Sequence, residues 1–357
     1  MRKPKTLGER EIIEIIQNHL EPMPEMPIRF GDDVAAYEME DGNLAVLKTD
    51  MLVGKTDVPS GMSLWQAARK AVVMNASDFA AKGVKPTAVL VALGLPKKTN
   101  RRDVEEIAKG LNAGAREYGA YVVGGDTGEA SDLVISISLF GTAKKGKVTL
   151  RSGAKPGDIA AVTGLFGKTA AGLKILLKKS GTPEKIREVL VDSVLMPRAR
   201  LAEGIALNKT GAVTAAIDSS DGLAWSLHEI AHASNVGFRI SKMPIAKEAQ
   251  AFAESNNLDP LDLVFYGGEE YELVLTVNPK LWKKAEKAIE ITGGKLLRIG
   301  TVTAERELVL ESGGKKRTIK SQGYEHFIRA HGITDDKKCP KCATPVLITG
   351  KYMSNPA

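Results

Sequence analysis

Apolar residues at Ile12, Ile13, Ile15, Ile16 and Leu20 keep mostly helical spacing, and Thr6-Leu-Gly-Glu9 offers a capping box in front of them. An amphipathic helix is predicted there. Pro22, Pro24 and Pro27 forbid its continuation and predict an extended linker to Gly31-Asp32-Asp33. From that point the period switches repeatedly. The pattern predicts a strand from Leu44 to Asp50, a helix from Leu64 to Ala81 stopped by Gly83, and a strand from Val89 to Leu95. A helix from Arg102 to Tyr118 follows, then Tyr121-Val122-Val123 running into a turn at Gly124-Gly125-Asp126, then an alternating strand from Leu133 to Leu139.

Turn-forming residues cluster at Arg151-Ser-Gly-Ala-Lys-Pro-Gly-Asp158, after which strand and helix patterns begin again. The second half predicts a short strand ending at Asp218, a helix after Gly222, and a strand along Glu270-Tyr-Glu-Leu-Val-Leu-Thr-Val277. The division expected is a helix and linker at 1–28, one α/β domain at 29–149, a second at 150–330, and an appended tail at 331–357.

With 357 residues, 43% apolar and 26% charged, the chain has the length for two ordinary domains or one large one, and the composition of a folded protein. Its formal charge of +7 comes from basic residues interleaved with acids, and aromatics are only 5% of the chain. Few stacking platforms are available, so a nucleic-acid binder is not expected. No apolar run approaches the roughly 20 residues needed to cross a bilayer, and the basic N-terminus leads into a helix rather than a secretory signal. Both cysteines, Cys339 and Cys342, lie in the tail; the body has no disulfide framework, and a cytoplasmic location is expected. One Cys-x-x-Cys is half of a four-ligand zinc site: a redox pair or an inert remnant is the favoured reading, and completion across a dimer is the other.

Carboxylates recur where extended segments meet glycines or turns: Asp32, Asp33, Asp50, Asp78, Asp126, Asp218 and Asp221. Any one of them suits a turn or a cap for local reasons. Gathered into one cleft they repel each other unless multivalent cations lie between them, which suits Mg²⁺ and nucleotide phosphates. Two other motifs carry less. His228-Glu-Ile-Ala-His232 matches the zinc-peptidase string, but the helical pattern puts both histidines on a polar flank and Glu229 nearly opposite the core. Gly164-Leu-Phe-Gly-Lys-Thr169 resembles the end of a P-loop, yet Val162 stands where that loop requires glycine.

Taken in order, Gly31-Asp32-Asp33, Thr49-Asp50, Asn75-Ala-Ser-Asp78-Phe-Ala-Ala81, Gly124-Gly-Asp-Thr127, Arg151 to Asp158, Asp218-Ser-Ser-Asp-Gly-Leu223, Gly267-Gly-Glu-Glu-Tyr-Glu-Leu273 and Gly323-Tyr-Glu-His-Phe327 resemble the thiamine-monophosphate kinase family, across residues 7 to 327. That family sits in the aminoimidazole ribonucleotide synthetase-like superfamily. The resemblance implies a two-domain α/β fold whose N-terminal domain pairs with a second copy into a β-barrel dimer, with ATP bound near the interface. It implies Asp32, Thr49, Asp50, Asp78, Asp126, Asp218 and Asp221 as ligands of several Mg²⁺ ions. Gly125, Asp126, Arg151 and Ser220 are implied as ATP contacts, and Glu269 and Tyr324 as contacts to the thiamine moiety; Asp57 joins them as a carboxylate able to pair with the cationic thiazolium.

The implied reaction is in-line transfer of the γ-phosphoryl group from ATP to thiamine monophosphate, with Arg151 and Asp126 as catalytic residues. The alternatives are an amide-activating ligase of the purine-synthesis type and a silent ATP-binding regulator. Three positions depart from the family pattern. Lys48 precedes Thr49-Asp50 where a small or acidic residue is usual. Lys55-Thr-Asp57-Val58 replaces a histidine-bearing segment, and Glu270 stands in place of Asp.

Overall fold

The computed structural model describes residues 7–178 and 180–323; Tyr324, Thr6 and the Cys339/Cys342 tail lie outside them. Helix α1 (Glu9–Gln17) has Gly8 at its N-cap and buries none of its residues. The chain then builds β1 (Ala35–Glu38), β2 (Asn43–Val53), the single turn α2 (Gly54–Asp57), α3 (Leu64–Lys82), β3 (Pro86–Leu95), α4 (Arg101–Glu117), β4 (Tyr121–Glu129) and β5 (Val134–Lys144). These strands form one sheet in the order β1-β2-β5-β3-β4. The sheet is open within the single chain, with β1 and β4 as its edges.

A second sheet follows, with α5 (Lys168–Lys178), α6 (Glu184–Leu195), α7 (Leu201–Thr210), α8 (Leu223–Ser234), α9 (Lys247–Ser255), α10 (Pro260–Phe265) and α11 (Trp282–Glu290) interspersed. Its strands are β6 (Ile159–Val162), β7 (Val213–Asp218), β8 (Gly237–Ile240), β9 (Leu273–Val277), β10 (Leu297–Thr303), β11 (Leu308–Ser312) and β12 (Lys315–Thr318). They run in the order β12-β11-β8-β10-β6-β9-β7. The fold is thus a mixed α/β arrangement of two sheets with helices.

Helix α3 starts in a capping box, in which Ser63 accepts from Gln66 N and Gln66 returns the bond to Ser63 N. It ends at Gly83 with φ +66, in the left-handed region that glycine enters without penalty. Between those caps it is buried almost throughout, because α4, α7, β2, β5 and β7 all pack on it. A Cβ at Gly204 of α7 would lie 1.9 Å from the Ala80 carbonyl oxygen, so the two helices touch backbone to backbone. One apolar cluster therefore runs from Val46, Val89 and Ile137 of the first sheet through Ala76 and Phe79 to Leu207, Leu273 and Leu275.

The first sheet is covered on one face only. Lys48, Asp50 and Leu52 of β2 turn towards the helices, whereas Leu47, Thr49 and Met51 alternate to the other side. Leu47, Met51 and Leu90 are each about half exposed there.

Two segments differ from the sequence expectation. Gly124-Gly125-Asp126 is the middle of β4 rather than a turn, in parallel register with Leu90–Ala92 of β3. A Cβ at Gly125 would come within 1.8 Å of the Val91 carbonyl oxygen, so glycine here permits close strand approach, not chain reversal. In the other, β9 begins only at Leu273, since Glu269 and Tyr271 have φ of +65 and +53 and hold the preceding residues in a loop.

Candidate active site

Asp33, Asp78 and Asp218 come from three distant parts of the chain: the linker before β1, the last turns of α3, and the end of β7. One carboxylate oxygen from each lies within 4.8 Å of the others, and all three residues are buried. It is the one such acidic, histidine or cysteine grouping among the described residues.

The protein supplies its own cations to this cluster. Lys82 is wholly buried, with Nζ 2.5 Å from Asp32 Oδ1 and 2.7 Å from Asp33 Oδ2. Lys48 Nζ lies 2.9 Å from Asp78 Oδ2. Arg151 donates from Nε to Asp33 Oδ1 at 2.7 Å and from its backbone N to Asp32 Oδ2 at 3.0 Å. The same guanidinium donates to the Gly31 carbonyl and to Glu229, each at 3.0 Å. Arg151 thus ties the Gly31–Asp33 segment to helix α8. Ser77 donates to Asp218 Oδ2 at 2.6 Å.

The three carboxyls are unequally served. Burial pushes Asp33 up, but the Lys82 and Arg151 charges outweigh it and hold the group below the usual carboxylate range. Burial drives Asp78 well above that range, with the Asp218, Asp33 and Asp50 charges adding to it and Lys48 only partly opposing. Asp218 is pushed up to about 6 by burial and by Asp33, against the Ser77 hydrogen bond. The Asn75 Oδ1 and Ser219 Oγ atoms, in the segments that carry Asp78 and Asp218, are buried with no hydrogen-bond partner. A cluster of hard oxygens short of positive charge fits a divalent cation such as Mg²⁺. Beside it, a cleft of about 240 Å³ opens along Phe30, Gly31, Asp32, Asp33, Lys48 and Thr49.

The other sequence candidates are distributed around this centre. Asp50 is half-buried on the helix-facing side of β2, close enough for its charge to act on Lys48 and Asp78. Thr49 alternates to the outer face and donates to the Ile137 carbonyl at 3.0 Å. Gly125 and Asp126 lie on exposed β4, outside the triad. Ser220 and Asp221 follow Asp218 in a turn whose Ser220 carbonyl accepts from Glu269 N at 2.7 Å.

Glu269 meets Lys70 at 2.7 Å, and Lys70 also donates to the Asp57 carbonyl at 2.9 Å, so the two described acceptor-site candidates converge on one buried lysine. The Asp57 carboxylate itself accepts from Val53 N and Thr56 Oγ1.

The two sequence decoys resolve in the same region. His228 Nε2 lies 2.9 Å from the Ile319 carbonyl oxygen, while Glu229 pairs with Arg10 and Arg151. At the P-loop look-alike, Thr169 N at the start of α5 donates 3.0 Å to Glu270, so a protein carboxylate already occupies that helix N-terminus. Sequence reasoning missed Lys70, Ser77, Lys82 and Glu229. A lysine in the last turn of a helix reads as a charge complementing the dipole, and only the packing on α3 reveals Lys82 as an interior cation.

Comparison with known proteins places this geometry in a family. Residues 31–143 match the family described as AIR synthase related protein, N-terminal domain, and residues 155–313 match its C-terminal domain. A thiamine-monophosphate kinase of Nitrosopumilus maritimus is 38% identical over 322 residues, covering 90% of this chain and 99% of that one. The chain belongs to the thiamine-monophosphate kinase family. The Pyrococcus horikoshii kinase is 40% identical over 270 residues, covering 75% of this chain and 80% of its own. The solved structure of AaThiL complexed with AMPPCP and TMP superposes with a TM-score of 0.79 at 28% identity, covering 92% of this chain and 99% of that one.

Glu270 generates a test of the buried acids. Burial raises it from 4.5 to about 7, partly offset by the Thr169 hydrogen bond. The folded state therefore holds a proton that the unfolded chain releases above pH 4.5. Its contribution is present in full below that pH and is lost as pH rises through 7. Glu270→Gln should be more stable than wild type at pH 8, by up to about 3 kcal/mol, and equal to it near pH 4. Urea unfolding at the two pH values measures the difference.

Proposed function

We propose that the chain transfers the γ-phosphoryl group of ATP directly to the phosphate of thiamine monophosphate, forming thiamine diphosphate and ADP. The observation that carries this is the convergence of Asp33, Asp78 and Asp218 within 4.8 Å on a chain of this family. ATP and a phosphomonoester bring about six negative charges together, which must be screened before an acceptor oxygen approaches phosphorus. Asp33, Asp78 and Asp218, with Asp32 and Asp50 beside them, would hold Mg²⁺; when bound, it supplies that screening.

The acceptor phosphate is largely ionised at neutral pH and is its own nucleophile, so the chain's task is positioning and charge stabilisation rather than proton abstraction. Arg151 orients Asp32 and Asp33 through the contacts described above and, with Gly125, Asp126 and Ser220, faces the nucleotide. Asp57 and Glu269, drawn together at Lys70, border the thiamine moiety, with Tyr324 contributing from outside the described residues. Asp221 joins the cation-binding set in this reading, whereas Thr49 and Asp126, on the outer face of the sheet, would meet a cation apart from the triad.

Three further proposals accompany it. The domain boundary lies near residue 150. A second copy covers the bare face of the first sheet: Leu47, Met51 and Leu90 are exposed there, the open edge β4 is exposed along its whole length, and such a surface favours association. Asp126, in register with the exposed Ala92, lies on that face, so the interface adjoins the nucleotide site in this reading. The protein works in the cytoplasm; among the described residues no helix is long and apolar enough to cross a membrane.

Purified protein incubated with Mg-ATP and thiamine monophosphate should form thiamine diphosphate, detected by chromatography. Asp218→Asn should lower turnover about 100-fold or more, in line with removal of a group that stabilises transferring charge. Absence of thiamine diphosphate, with phosphorylation of an amide substrate instead, would reject the assignment. For the dimer, light scattering should find two chains per particle for wild type and one for a Met51→Asp, Leu90→Asp double variant. A monomeric wild type would reject it.

A further inference from the structure

Lys48 stands on the helix-facing side of β2, two residues before Asp50 on the same face of the strand. Its ammonium reaches Asp78 Oδ2 at 2.9 Å with only 20% of the side chain exposed. The acids acting on it are Asp78, Asp50 and Asp33, two of them members of the triad. Around this point Asp32, Asp33, Asp50, Asp78 and Asp218 face Lys48, Lys82 and Arg151. With all five carboxyls ionised, the state a bound cation favours, two negative charges remain, the complement of one divalent cation. The Glu229 carboxylate that reaches Arg151 is itself paired with Arg10 and leaves the balance unchanged.

An ammonium has three donors and no lone pair. It cannot share Asp78 Oδ2 with a divalent ion at bonding distance without strong like-charge repulsion.

We propose that the Lys48 ammonium takes the place of one divalent cation in this cluster, so that the chain holds one metal ion fewer than its carboxylates would otherwise bind. Lys82 and Arg151 already serve Asp32 and Asp33, which leaves Asp78 with Lys48 as its cation and Asp218 with the Ser77 hydroxyl. A tethered cation needs no metal in solution to stay in place, and it lines the same cleft as Asp32 and Asp33. The inference rests on the Mg²⁺ reading given above and deepens it.

The test counts tightly held Mn²⁺ per chain in metal-stripped, full-length protein without nucleotide, using the electron paramagnetic resonance signal of the unbound ion. Lys48→Ser and Lys48→Gln should each hold one more Mn²⁺ per chain than wild type, while Lys48→Arg should match wild type. A variant that folds only with metal present has its count taken by dialysis at fixed Mn²⁺ and reads out the same way. Wild-type protein that binds Mn²⁺, with neutral variants that gain none, overturns this inference and leaves the metal reading standing. Wild-type protein that binds none at all overturns both.

Discussion

Charge that is taken out of water must be matched inside the protein, and helix α3 makes that demand throughout this molecule. It carries Arg69, Lys70, Asp78 and Lys82 into the interior, all of them buried, and an isolated ion in such a place costs several kcal/mol or more. Each has a partner brought from elsewhere: Glu117 for Arg69, Glu269 for Lys70, Lys48 for Asp78, and Asp32 with Asp33 for Lys82. The helix is therefore a stitched seam as well as a core element. The linker, β2, α4 and the Gly267–Tyr271 loop are positioned against it by charge, and β7 by the hydrogen bonds from Ser77 to Asp218 and from Lys82 to the Ala216 carbonyl.

The seam accounts for how the site is built. Residues 267 to 273 carry three carboxylates, and each is anchored in a different way. Glu269 binds Lys70, Glu270 accepts from the start of α5, and Glu272 accepts from Arg200 at 2.5 and 2.8 Å and from Thr163 at 2.7 Å. Glu269 N and Tyr271 N also donate to the Ser220 and Ser219 carbonyls, and both residues hold positive φ, a conformation that non-glycine residues adopt only where the surroundings fix it. A rigid loop follows, set beside the aspartates. Catalysis that depends on positioning rather than on a proton acceptor requires that kind of preorganisation.

Much of the scaffold was legible from local signals. Ser63 and Gly83 bound α3, and the helix after Gly222 starts at Leu223, because caps and left-handed glycines act over a few residues. Asp33, Asp78 and Asp218 stood out as acids at segment ends. Pairing across the fold was not legible. Gly124-Gly125-Asp126 has the composition of a turn, and only the nearby Val91 carbonyl explains the glycine within a strand. Glu270 fitted an alternating strand pattern until the start of α5 claimed its carboxylate. Lys82 and Lys70 look like ordinary helix surface, since nothing in their neighbours along the chain announces burial.

If carboxylates scattered through the sequence meet to grip a divalent ion, a metal must be found among them. Anomalous diffraction from crystals soaked in Mn²⁺ tests it most directly. The expected result is a peak within bonding distance of oxygens from Asp33, Asp78 and Asp218. Manganese found only at other acidic residues, with none among those three, would contradict it.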